Sequence, residues 1–368
     1  MRIIVTGGGT GGHIYPALAI AQKIKQENPD SNILYVGTPN SMESDLVPKQ
    51  GFEFESVYAR YLERKVSFEN VKTGFITLKA INDAKKIIKR FKPDVVIGTG
   101  GYVCGPVVYA AHLCKIPTMI HEQNVFPGIT NKLLSRVVDK IAISFDEARK
   151  YFKYPEKITL VGNPVREEIL RADRTKARSK MNIADDEIFI YSFGGSGGQK
   201  SLNDAVINSL NLFGNRKDIK LLHVTGKRLD SRFKEDVKTN KVIIPDNVEV
   251  IDYCYNAAEA LAASDIVIAS GGAISITEIT KLGKASIIIP KTYTAENHQE
   301  YNARALEKAG AAIVILEKDL ENKEILFSSI CKISDNQLFM KEMADKSKEI
   351  GNFDAENGLY KLVLELNK

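Results

Sequence analysis

The sequence predicts an α/β protein built from two similar, doubly wound domains, each a parallel sheet with helices on both faces. Three observations predict this fold. Short β-rich runs alternate with stretches of helical period, the runs are mostly apolar throughout, and the pattern restarts after Gly162-Asn163-Pro164. We therefore expect a first domain over residues 1–162, a second over residues 163–351, and a closing helix over about 352–368.

Ten short runs are strand candidates, and each is mostly apolar, as a strand buried on both faces should be. In the first half they are residues 2–6, 33–37, 94–98, 117–121 and 140–143, and in the second half residues 188–193, 220–224, 248–252, 266–269 and 286–290. Ligands of doubly wound sheets bind at the carboxyl ends of the strands. We therefore expect a functional cleft at these ends, between the two domains.

The composition is that of a folded globular protein, because 44% of the 368 residues are hydrophobic and 26% are charged. The four cysteines show neither C-x-x-C nor Cys/His ligand spacing, so we expect no disulfide framework and no zinc site, as is usual in a reducing cytosol. The apolar start is too short for a signal peptide, and no uncharged apolar run approaches the roughly 18 residues that span a bilayer. Any membrane contact should be peripheral.

Positive charge is concentrated in one segment of the first half. Residues 1–162 contain 22 basic and 15 acidic side chains, whereas the rest of the chain contains 29 and 31. Residues 60–92 alone contain ten basic and three acidic side chains, which accounts for the whole excess. Such a segment indicates an anionic partner: a phosphate-bearing substrate, a membrane surface or nucleic acid. No recognition motif accompanies it, so we expect no nucleic-acid partner.

The same segment has an apolar stripe at helical spacing, formed by Phe68, Val71, Phe75 and Leu78. A stripe of this kind usually packs in a protein core, but flanking cations are typical of helices that lie on a membrane surface. The residues that we assign to a candidate membrane patch are Phe75, Leu78, Lys85, Lys86 and Lys89.

A glycine-rich loop, Gly7-Gly8-Gly9-Thr10-Gly11-Gly12-His13, follows the first strand and precedes a helix predicted from about Pro16. Glycines let backbone amides approach an anion closely, and a helix start adds a favourable dipole. The loop formally matches the dinucleotide fingerprint G-x-G-x-x-G, but no acidic residue ends the second strand to hold a ribose. We therefore expect no nicotinamide or flavin cofactor. The alternative is a loop that only makes a tight turn.

The second half opens with Gly194-Gly195-Ser196-Gly197-Gly198-Gln199-Lys200-Ser201, again directly after a strand. Gln199 stands where a nucleotide-hydrolysing P-loop has glycine, so the loop predicts an anion nest suited to a pyrophosphate. Two further small-residue loops, at residues 98–102 and 270–273, follow strands in the same way. Backbone rather than bulky side chains should therefore line the site.

Three side chains are candidates for chemistry at these loops. His13 is a candidate general base, because neutral imidazole accepts protons near pH 7. Arg166 is the natural counter-charge for a pyrophosphate, and Glu278 is placed to accept ribose hydroxyls. The alternatives are a helix-capping histidine, a surface arginine and a capping or surface-paired glutamate. Residues 121–124 and 296–300 add polar patches of ligand size.

Together these motifs resemble those of the MurG family in order and spacing. The matching motifs are Gly9-Thr10-Gly11-Gly12-His13, Gly100-Gly101-Tyr102-Val103-Cys104-Gly105-Pro106, His121-Glu122-Gln123-Asn124, Gly162-Asn163-Pro164-Val165-Arg166, Gly194-Gly195-Ser196 and His298-Gln299-Glu300-Tyr301-Asn302-Ala303. The resemblance covers essentially the whole chain. It implies a GT-B fold and inverting transfer of N-acetylglucosamine (GlcNAc) from UDP-GlcNAc to the muramyl 4-hydroxyl of lipid I, undecaprenyl-pyrophosphoryl-MurNAc-pentapeptide. The product is lipid II, for peptidoglycan synthesis.

The resemblance also implies a division of labour. Residues 1–162 would bind the acceptor and associate with the cytoplasmic face of the cell membrane, and residues 163–351 would bind UDP-GlcNAc. In this fold the closing helix commonly crosses back onto the first domain. Because the chain lacks any Asp-x-Asp pair, the glycine loops and Arg166 would neutralise the pyrophosphate, and we expect neither a metal nor another cofactor.

The resemblance assigns site residues position by position. His13 matches the family's favoured candidate base. The donor-binding positions are Thr10, Gly11, Gly12, Asn124, Arg166, Ser196, Ile251, Ala273, Glu278 and Gln299, and the acceptor-side positions are Gly9, Gly100, Gly101 and Tyr102. This chain has His298-Gln299 where some members have two glutamines, so no role is assigned to His298.

Two rivals share this pattern. A UDP-GlcNAc 2-epimerase or a glycolipid galactosyltransferase has the same architecture and donor site, and the epimerase would form UDP-ManNAc without a lipid acceptor. A catalytically silent nucleotide-sugar binding module is the other rival. The complete set of loops, including His13, argues against that module.

Overall fold

The computed structural model describes residues 1–60, 68–195 and 197–368. Within these residues the chain forms two compact units. Unit 1 comprises Met1–Pro164 together with Phe353–Lys368, and unit 2 comprises Val165–Asn352. The chain thus passes from unit 1 to unit 2 two residues after the boundary expected from the sequence, and its last segment returns to unit 1.

The strands and helices alternate along the chain, as the sequence pattern predicts. The strands are β1 Arg2–Thr6, β2 Asn32–Gly37, β3 Glu53–Ser56, β4 Val95–Gly98, β5 Thr118–Glu122, β6 Lys140–Ile143, β7 Ile158–Leu160, β8 Ile188–Phe193, β9 Ile219–Val224, β10 Val248–Ile251, β11 Ile266–Ala269, β12 Ala285–Ile288 and β13 Ala312–Val314. The helices are α1 Gly11–Glu27, α2 Met42–Lys49, α3 Phe68–Phe91, α4 Cys104–Leu113, α5 Ile129–Leu134, α6 Glu167–Arg171, α7 Arg174–Lys180, α8 Lys200–Phe213, α9 Asp230–Thr239, α10 Ala257–Ala263, α11 Ala273–Leu282, α12 His298–Lys308, α13 Ile325–Ser334, α14 Gln337–Ile350 and α15 Ala355–Leu366.

Each unit contains one parallel sheet in the described part of the chain. The strand order is β3-β2-β1-β4-β5-β6-β7 in unit 1 and β10-β9-β8-β11-β12-β13 in unit 2. In both sheets the first strand of the unit lies centrally, beside the second strand on one side and the fourth on the other. This doubly wound order brings the loops after β1, β4, β8 and β11 to the switch point of each sheet, where ligands bind.

Alternate residues of the unit 1 strands face two separate apolar cores. Ile4 and Val96 pack in one core with α3 and α4, whereas Ile3 and Val5 pack in the other with α1 and α15. Leu359, Leu362 and Val363 are the residues of α15 buried in that second core. The returning segment therefore completes the hydrophobic cover of the first sheet.

The ten predicted strands are all present, with ends within two residues of the prediction. Three strands were not predicted from the sequence: β3, β7 and β13. Each lies at an edge of its sheet and is only three or four residues long. β3 is mostly polar and partly exposed, as an edge strand can be, whereas β7 and β13 are mostly apolar but only three residues long, too short for periodicity to identify a strand.

The predicted helix start at about Pro16 is wrong. Helix α1 begins at Gly11, because the carbonyl oxygen of Thr10 already accepts hydrogen bonds from the amides of His13 and Ile14. Pro16 lies inside the helix, where its ring nitrogen donates no hydrogen bond. The correction places His13 on the first helical turn rather than in the loop before it.

The four cysteines are free thiols, so the structure contains no disulfide among them. Burial raises the pKa of the Cys104 thiol to about 12, which keeps that side chain protonated and unreactive. None of the helices within the described ranges combines the length and apolar character that a membrane crossing requires.

His121 in unit 1 and His223 in unit 2 are fully buried. Burial lowers the pKa of His121 to about 4 and that of His223 to about 3, whereas an unfolded chain protonates histidine near pH 6.5. Between pH 7 and pH 5 the unfolded state therefore binds protons that the native state does not. We expect the free energy of unfolding to fall by about 2 kcal/mol per histidine over this interval.

Urea denaturation at pH 7 and pH 5 measures this decrease. His223→Gln should make it smaller, whereas His112→Gln removes an exposed histidine and should leave it unchanged. A decrease of equal size in His223→Gln and in the parent protein would contradict the assignment to buried histidines.

Candidate active site

Two glycine loops of unit 1 lie in direct backbone contact at the carboxyl ends of β1 and β4. The amide of Gly8 donates to the carbonyl oxygen of Gly100 at 3.3 Å. A Cβ atom on Gly101 would lie 2.1 Å from the carbonyl oxygen of Gly8, and Gly101 has a φ of +84°. Only glycine satisfies both the space and the backbone angle at this position.

The buried carboxylate of Glu43 supports the first glycine loop through hydrogen bonds. Glu43 is fully buried and accepts hydrogen bonds from the amide of Gly9 at 3.3 Å and from the amide and hydroxyl of Thr38 at 3.2 and 2.6 Å. Tyr35 donates its hydroxyl to the carbonyl oxygen of Gly7 at 2.7 Å, and burial raises its pKa, so it stays a donor. Neither residue was predicted from the sequence, because Glu43 lies in the polar start of α2 and Tyr35 lies in an apolar strand, and neither pattern marks a functional side chain.

His13 contacts both loops and a third segment. Its Nδ1 atom lies 3.1 Å from Oε1 of Gln123, and its ring covers Gly100, where a Cβ atom would come within 2.8 Å of Nδ1. Tyr102 packs against Gly9, where a Cβ atom would lie 3.0 Å from the tyrosine ring. The structure thus brings together His13 and the four predicted acceptor-side residues, Gly9, Gly100, Gly101 and Tyr102.

The predicted donor-side residues of this unit lie at the start of α1 and after β5. Thr10 is the N-cap of α1, and Gly11 and Gly12 are its first two residues, whose amides face out of the helix end. Asn124 is held by the buried carboxylate of Glu122, which accepts from the amide and the side-chain Nδ2 of Asn124 at 3.0 and 3.2 Å.

Glu122 organises the whole turn after β5. Its second carboxylate oxygen accepts from the amide of Gly128 at 3.2 Å and from Nδ2 of Asn131 at 2.8 Å. Four hydrogen bonds to one buried carboxylate fix the turn, because each donor would otherwise be left unpaired. The sequence predicts a polar patch at residues 121–124 but does not single out Glu122 as the residue that supports the turn.

In unit 2, Arg166 and Glu278 form an ion pair. Nε of Arg166 donates to Oε1 of Glu278 at 2.7 Å, and the side chain of Glu278 is 9% exposed against 43% for Arg166. Ala273 begins α11 after the N-cap Gly272, so Glu278 lies on the second turn of that helix. Two residues that are 112 positions apart in the chain, and that were predicted separately for the donor, are therefore direct partners.

Gln299 lies in the first turn of α12 against the loop after β11. A Cβ atom on Gly271 would lie 2.3 Å from the carbonyl oxygen of Gln299, and the side-chain Oε1 of Gln299 accepts from the amide of Lys291 at 3.1 Å. His298 is the first residue of the same helix. The residue before it, Asn297, and Glu296 both have positive φ angles, near +52° and +54°. This strained entry holds Gln299 close to the glycine turn.

The second glycine loop closes against Gly226 and Lys291. A Cβ atom on Gly226 would lie 2.5 Å from Cα of Gly198, and Nζ of Lys291 donates to the carbonyl oxygen of Gly198 at 2.9 Å. Ser196, which was predicted to contact the diphosphate, lies outside the described residues. Gln199, for which no role was predicted, is buried and donates to Glu317 and to the carbonyl oxygen of Ile289.

Ile251 is the last residue of β10, one residue before the predicted end of that strand, and its carbonyl oxygen is already engaged. That oxygen accepts from the amide of Thr225 at 3.0 Å. The hydroxyl of Thr225 has one hydrogen and lies 3.2 Å from the same oxygen and 3.1 Å from Oδ1 of Asp230. At least one lone pair of the Ile251 carbonyl is therefore used within unit 2.

The candidate membrane patch lies on one side of α3. Phe75 is 71% exposed and Leu78 is 65% exposed, and Lys86 and Lys89 are exposed on the same side about two to four turns later. Lys85 is partly buried beside them. The side chains of Phe68 and Val71, the other members of the predicted stripe, lie outside the described part of the chain.

The described residues contain no group of three His, Cys, Asp or Glu side chains that could hold a metal ion.

The fold and the four glycine loops define a class of enzyme. Residues 3–143 match the glycosyltransferase family 28 N-terminal domain, and residues 189–359 match the C-terminal domain of the same family. The chain is therefore a two-domain glycosyltransferase of family 28, and the predicted GT-B fold is confirmed.

More specifically, the chain belongs to the MurG family. It is 46% identical over 370 residues to a protein of Clostridioides difficile and 48% identical over 360 residues to one of Alkaliphilus oremlandii. The matches cover 100% and 98% of this chain, and 89% and 97% of the relatives. Both relatives are named UDP-N-acetylglucosamine–N-acetylmuramyl-(pentapeptide) pyrophosphoryl-undecaprenol N-acetylglucosamine transferase. The crystal structure of Acinetobacter baumannii MurG has a TM-score of 0.78 at 27% identity, over 99% of both chains.

The contact between the two glycine loops gives a stability prediction. Gly101→Ala places a Cβ atom against the carbonyl oxygen of Gly8 and requires alanine to adopt a backbone conformation with positive φ. We therefore expect the free energy of unfolding to fall by about 1–3 kcal/mol or more. Gly74→Ala is the matched control, because that site has open space on an exposed helix face and a Cβ there meets nothing within 4 Å. It should be neutral or slightly stabilising. Equal stability of the two variants in urea denaturation would contradict this account of the loop contact.

Proposed function

We propose that this enzyme transfers GlcNAc from UDP-GlcNAc to the muramyl 4-hydroxyl of lipid I and so forms lipid II for peptidoglycan synthesis. The observation that carries the proposal is the full-length identity to relatives that are named for this transfer. The geometry of the two units supports it, since unit 1 presents a histidine beside glycine loops and unit 2 presents an Arg–Glu pair beside others.

The proposed reaction is a single displacement. His13 takes the proton of the acceptor hydroxyl as that oxygen attacks the anomeric carbon of GlcNAc, and the bond to UDP breaks on the opposite face. One displacement inverts the anomeric carbon. The acceptor lies along Gly9, Gly100, Gly101 and Tyr102, where a backbone-lined surface adjoins the imidazole of His13.

The leaving diphosphate needs positive charge, and Arg166 supplies it. Glu278 anchors that side chain through Nε, Nη1 lies 3.7 Å from Oε2 of Glu168, and the guanidinium is half-exposed, so it is held at the surface where phosphates can approach it. The second oxygen of Glu278 is the atom that we assign to the ribose hydroxyls. The amides of the second glycine loop and the start of α8 add partial positive charge. No metal is assigned to this step.

The sugar of the donor is assigned to residues of both units. In unit 1 these are Asn124, oriented by Glu122, and the loop at Thr10, Gly11 and Gly12. In unit 2, Gln299 is the assigned ligand of the sugar hydroxyls. Its fixed position against Gly271 supports this role, because a side chain held by its backbone loses little entropy on binding.

Helix α3 is the proposed membrane-binding element. Its buried face, which includes Ala84, Ile87 and Ile88, packs in the core, so Phe75 and Leu78 on the opposite face have no apolar cover within the described chain. The neighbouring α4 also exposes apolar side chains, Tyr109 and Leu113. Exposed apolar residues flanked by lysines suit the surface of an anionic leaflet, where the lipid-borne acceptor resides.

Transfer of labelled GlcNAc to synthetic lipid I, with UDP release measured in parallel, tests the proposed function. We expect product in the parent protein and a decrease in turnover of about 10²–10⁴-fold in His13→Ala, with UDP affinity nearly unchanged. His112→Ala removes an exposed histidine of the same unit and should retain full activity. Formation of UDP-ManNAc without acceptor would identify an epimerase instead, and UDP-GlcNAc binding without transfer would identify a silent binding module.

A second experiment tests the membrane-binding element. The triple variant Lys85→Glu, Lys86→Glu, Lys89→Glu should bind vesicles of anionic lipid at least tenfold more weakly than the parent protein, because each lysine near such a surface contributes on the order of 1 kcal/mol. The matched control reverses three exposed lysines of unit 2, Lys217, Lys238 and Lys323. Equal losses in the two triple variants would show a net-charge effect and contradict the assignment to α3.

A further inference from the structure

A line of hydrogen bonds runs from His13 into the interior of unit 1. Nδ1 of His13 lies 3.1 Å from Oε1 of Gln123, and Nε2 of Gln123 lies 3.3 Å from Nδ1 of His121. Nε2 of His121 then lies 3.0 Å from the carbonyl oxygen of Gly162. Gln123 and His121 are both buried, so water does not replace these partners.

The hydrogen bond at the inner end of this line, between His121 and Gly162, has only one possible direction. The carbonyl oxygen of Gly162 can only accept, so Nε2 of His121 carries the hydrogen and donates it. Burial lowers the pKa of His121 to about 4, so the ring is neutral near pH 7. Its Nδ1 atom is therefore unprotonated and acts as an acceptor.

The protonation of His121, with its hydrogen on Nε2, fixes the orientation of the side-chain amide of Gln123. Two acceptors lie on one side of that amide: Nδ1 of His121 at 3.3 Å and the backbone carbonyl oxygen of His121 at 3.0 Å. Only the NH2 group of Gln123 can donate to them. The amide oxygen must then point the other way, toward His13.

We infer that Gln123 is a positioning residue that holds His13 in the Nδ1–H tautomer and so makes Nε2 the atom that accepts the proton. Since an amide oxygen accepts only, the Nδ1 atom of His13 must carry the hydrogen at this contact. The value of this for catalysis rests on the proposed function of His13, whereas the tautomer is a property of the free enzyme.

The hydrogen bond between His13 and Gln123 can be kept both when the imidazole of His13 is neutral and when it is protonated. When Nε2 takes a proton, the Nδ1–H group continues to donate to the same amide oxygen. A rotated Gln123 amide would turn its oxygen toward two acceptors of His121, so Nδ1 of His121 would lose its donor and the amide oxygen would face no donor. That cost locks the amide, and through it the imidazole.

Nitrogen NMR of the full-length protein, labelled with 15N in its histidine rings, tests the inference directly. We expect a pyrrole-type signal at Nδ1 and a pyridine-type signal at Nε2 of His13, with the reverse pattern for His121. The signals of His13 are identified by their loss in His13→Ala. An Nε2–H tautomer for His13 in the parent protein would overturn the inference, whatever reaction the enzyme catalyses.

Two variants separate positioning from simple packing. Gln123→Met keeps the volume but removes the acceptor, so His13 should lose the Nδ1–H tautomer and turnover should fall at least tenfold with little change in UDP affinity. Gln123→Glu keeps an oxygen at His13, so the Nδ1–H tautomer should persist there even if packing beside His121 changes. Gln22→Met alters an exposed glutamine of the same unit and should change neither property.

Retention of the Nδ1–H tautomer in Gln123→Met, or its loss in both Gln123 variants alike, would overturn the positioning role. Failure of the parent protein to act on lipid I would contradict the proposed function alone, because the ring signals are read without substrate.

Discussion

The approach of two backbone segments, at Gly8 and at Gly100-Gly101, is the constraint on which unit 1 depends. The loops after β1 and β4 lie so close that a single Cβ atom at Gly101 would collide with a carbonyl oxygen. This contact brings the start of α1 beside the loop after β4, so that His13 lies over Gly100. The buried carboxylate of Glu43 completes the arrangement, since it satisfies the amide of Gly9 that the turn leaves without a backbone partner.

The two units hold their candidate site residues by different means. In unit 1 the supports are neutral or buried groups, such as Gln123 and Glu122, and the surface beside His13 is mostly backbone. In unit 2 an ion pair between Arg166 and Glu278 links the start of α6 to α11, and helix entry through two residues of positive φ positions Gln299. Under the proposed function, the first arrangement suits an acceptor hydroxyl that loses a proton, and the second suits a leaving group that carries charge.

The central features of the fold could be predicted from the sequence, because buried parallel strands and glycine loops each have a local signal. The edge strand β3 has no such signal, and β7 and β13 are too short to give one. The position of Pro16 was misleading because the start of α1 is set by the Thr10 carbonyl. Among the site residues, His13 and Glu278 could be nominated by type and place. Their contacts could not, since His13 and Gln123 are 110 positions apart, and Arg166, which was nominated separately, is 112 positions from Glu278.

The return of Phe353–Lys368 to unit 1 has a consequence for how the polypeptide is made. During translation the sheet of unit 1 emerges first, yet the face that Leu359, Leu362 and Val363 cover stays open until the last helix leaves the ribosome. Unit 2, which is continuous from Val165 to Asn352, is complete in the emerging chain before Phe353 leaves the ribosome. The order of synthesis and the order of completion are therefore reversed, and the nascent N-terminal half is the part that needs protection from aggregation.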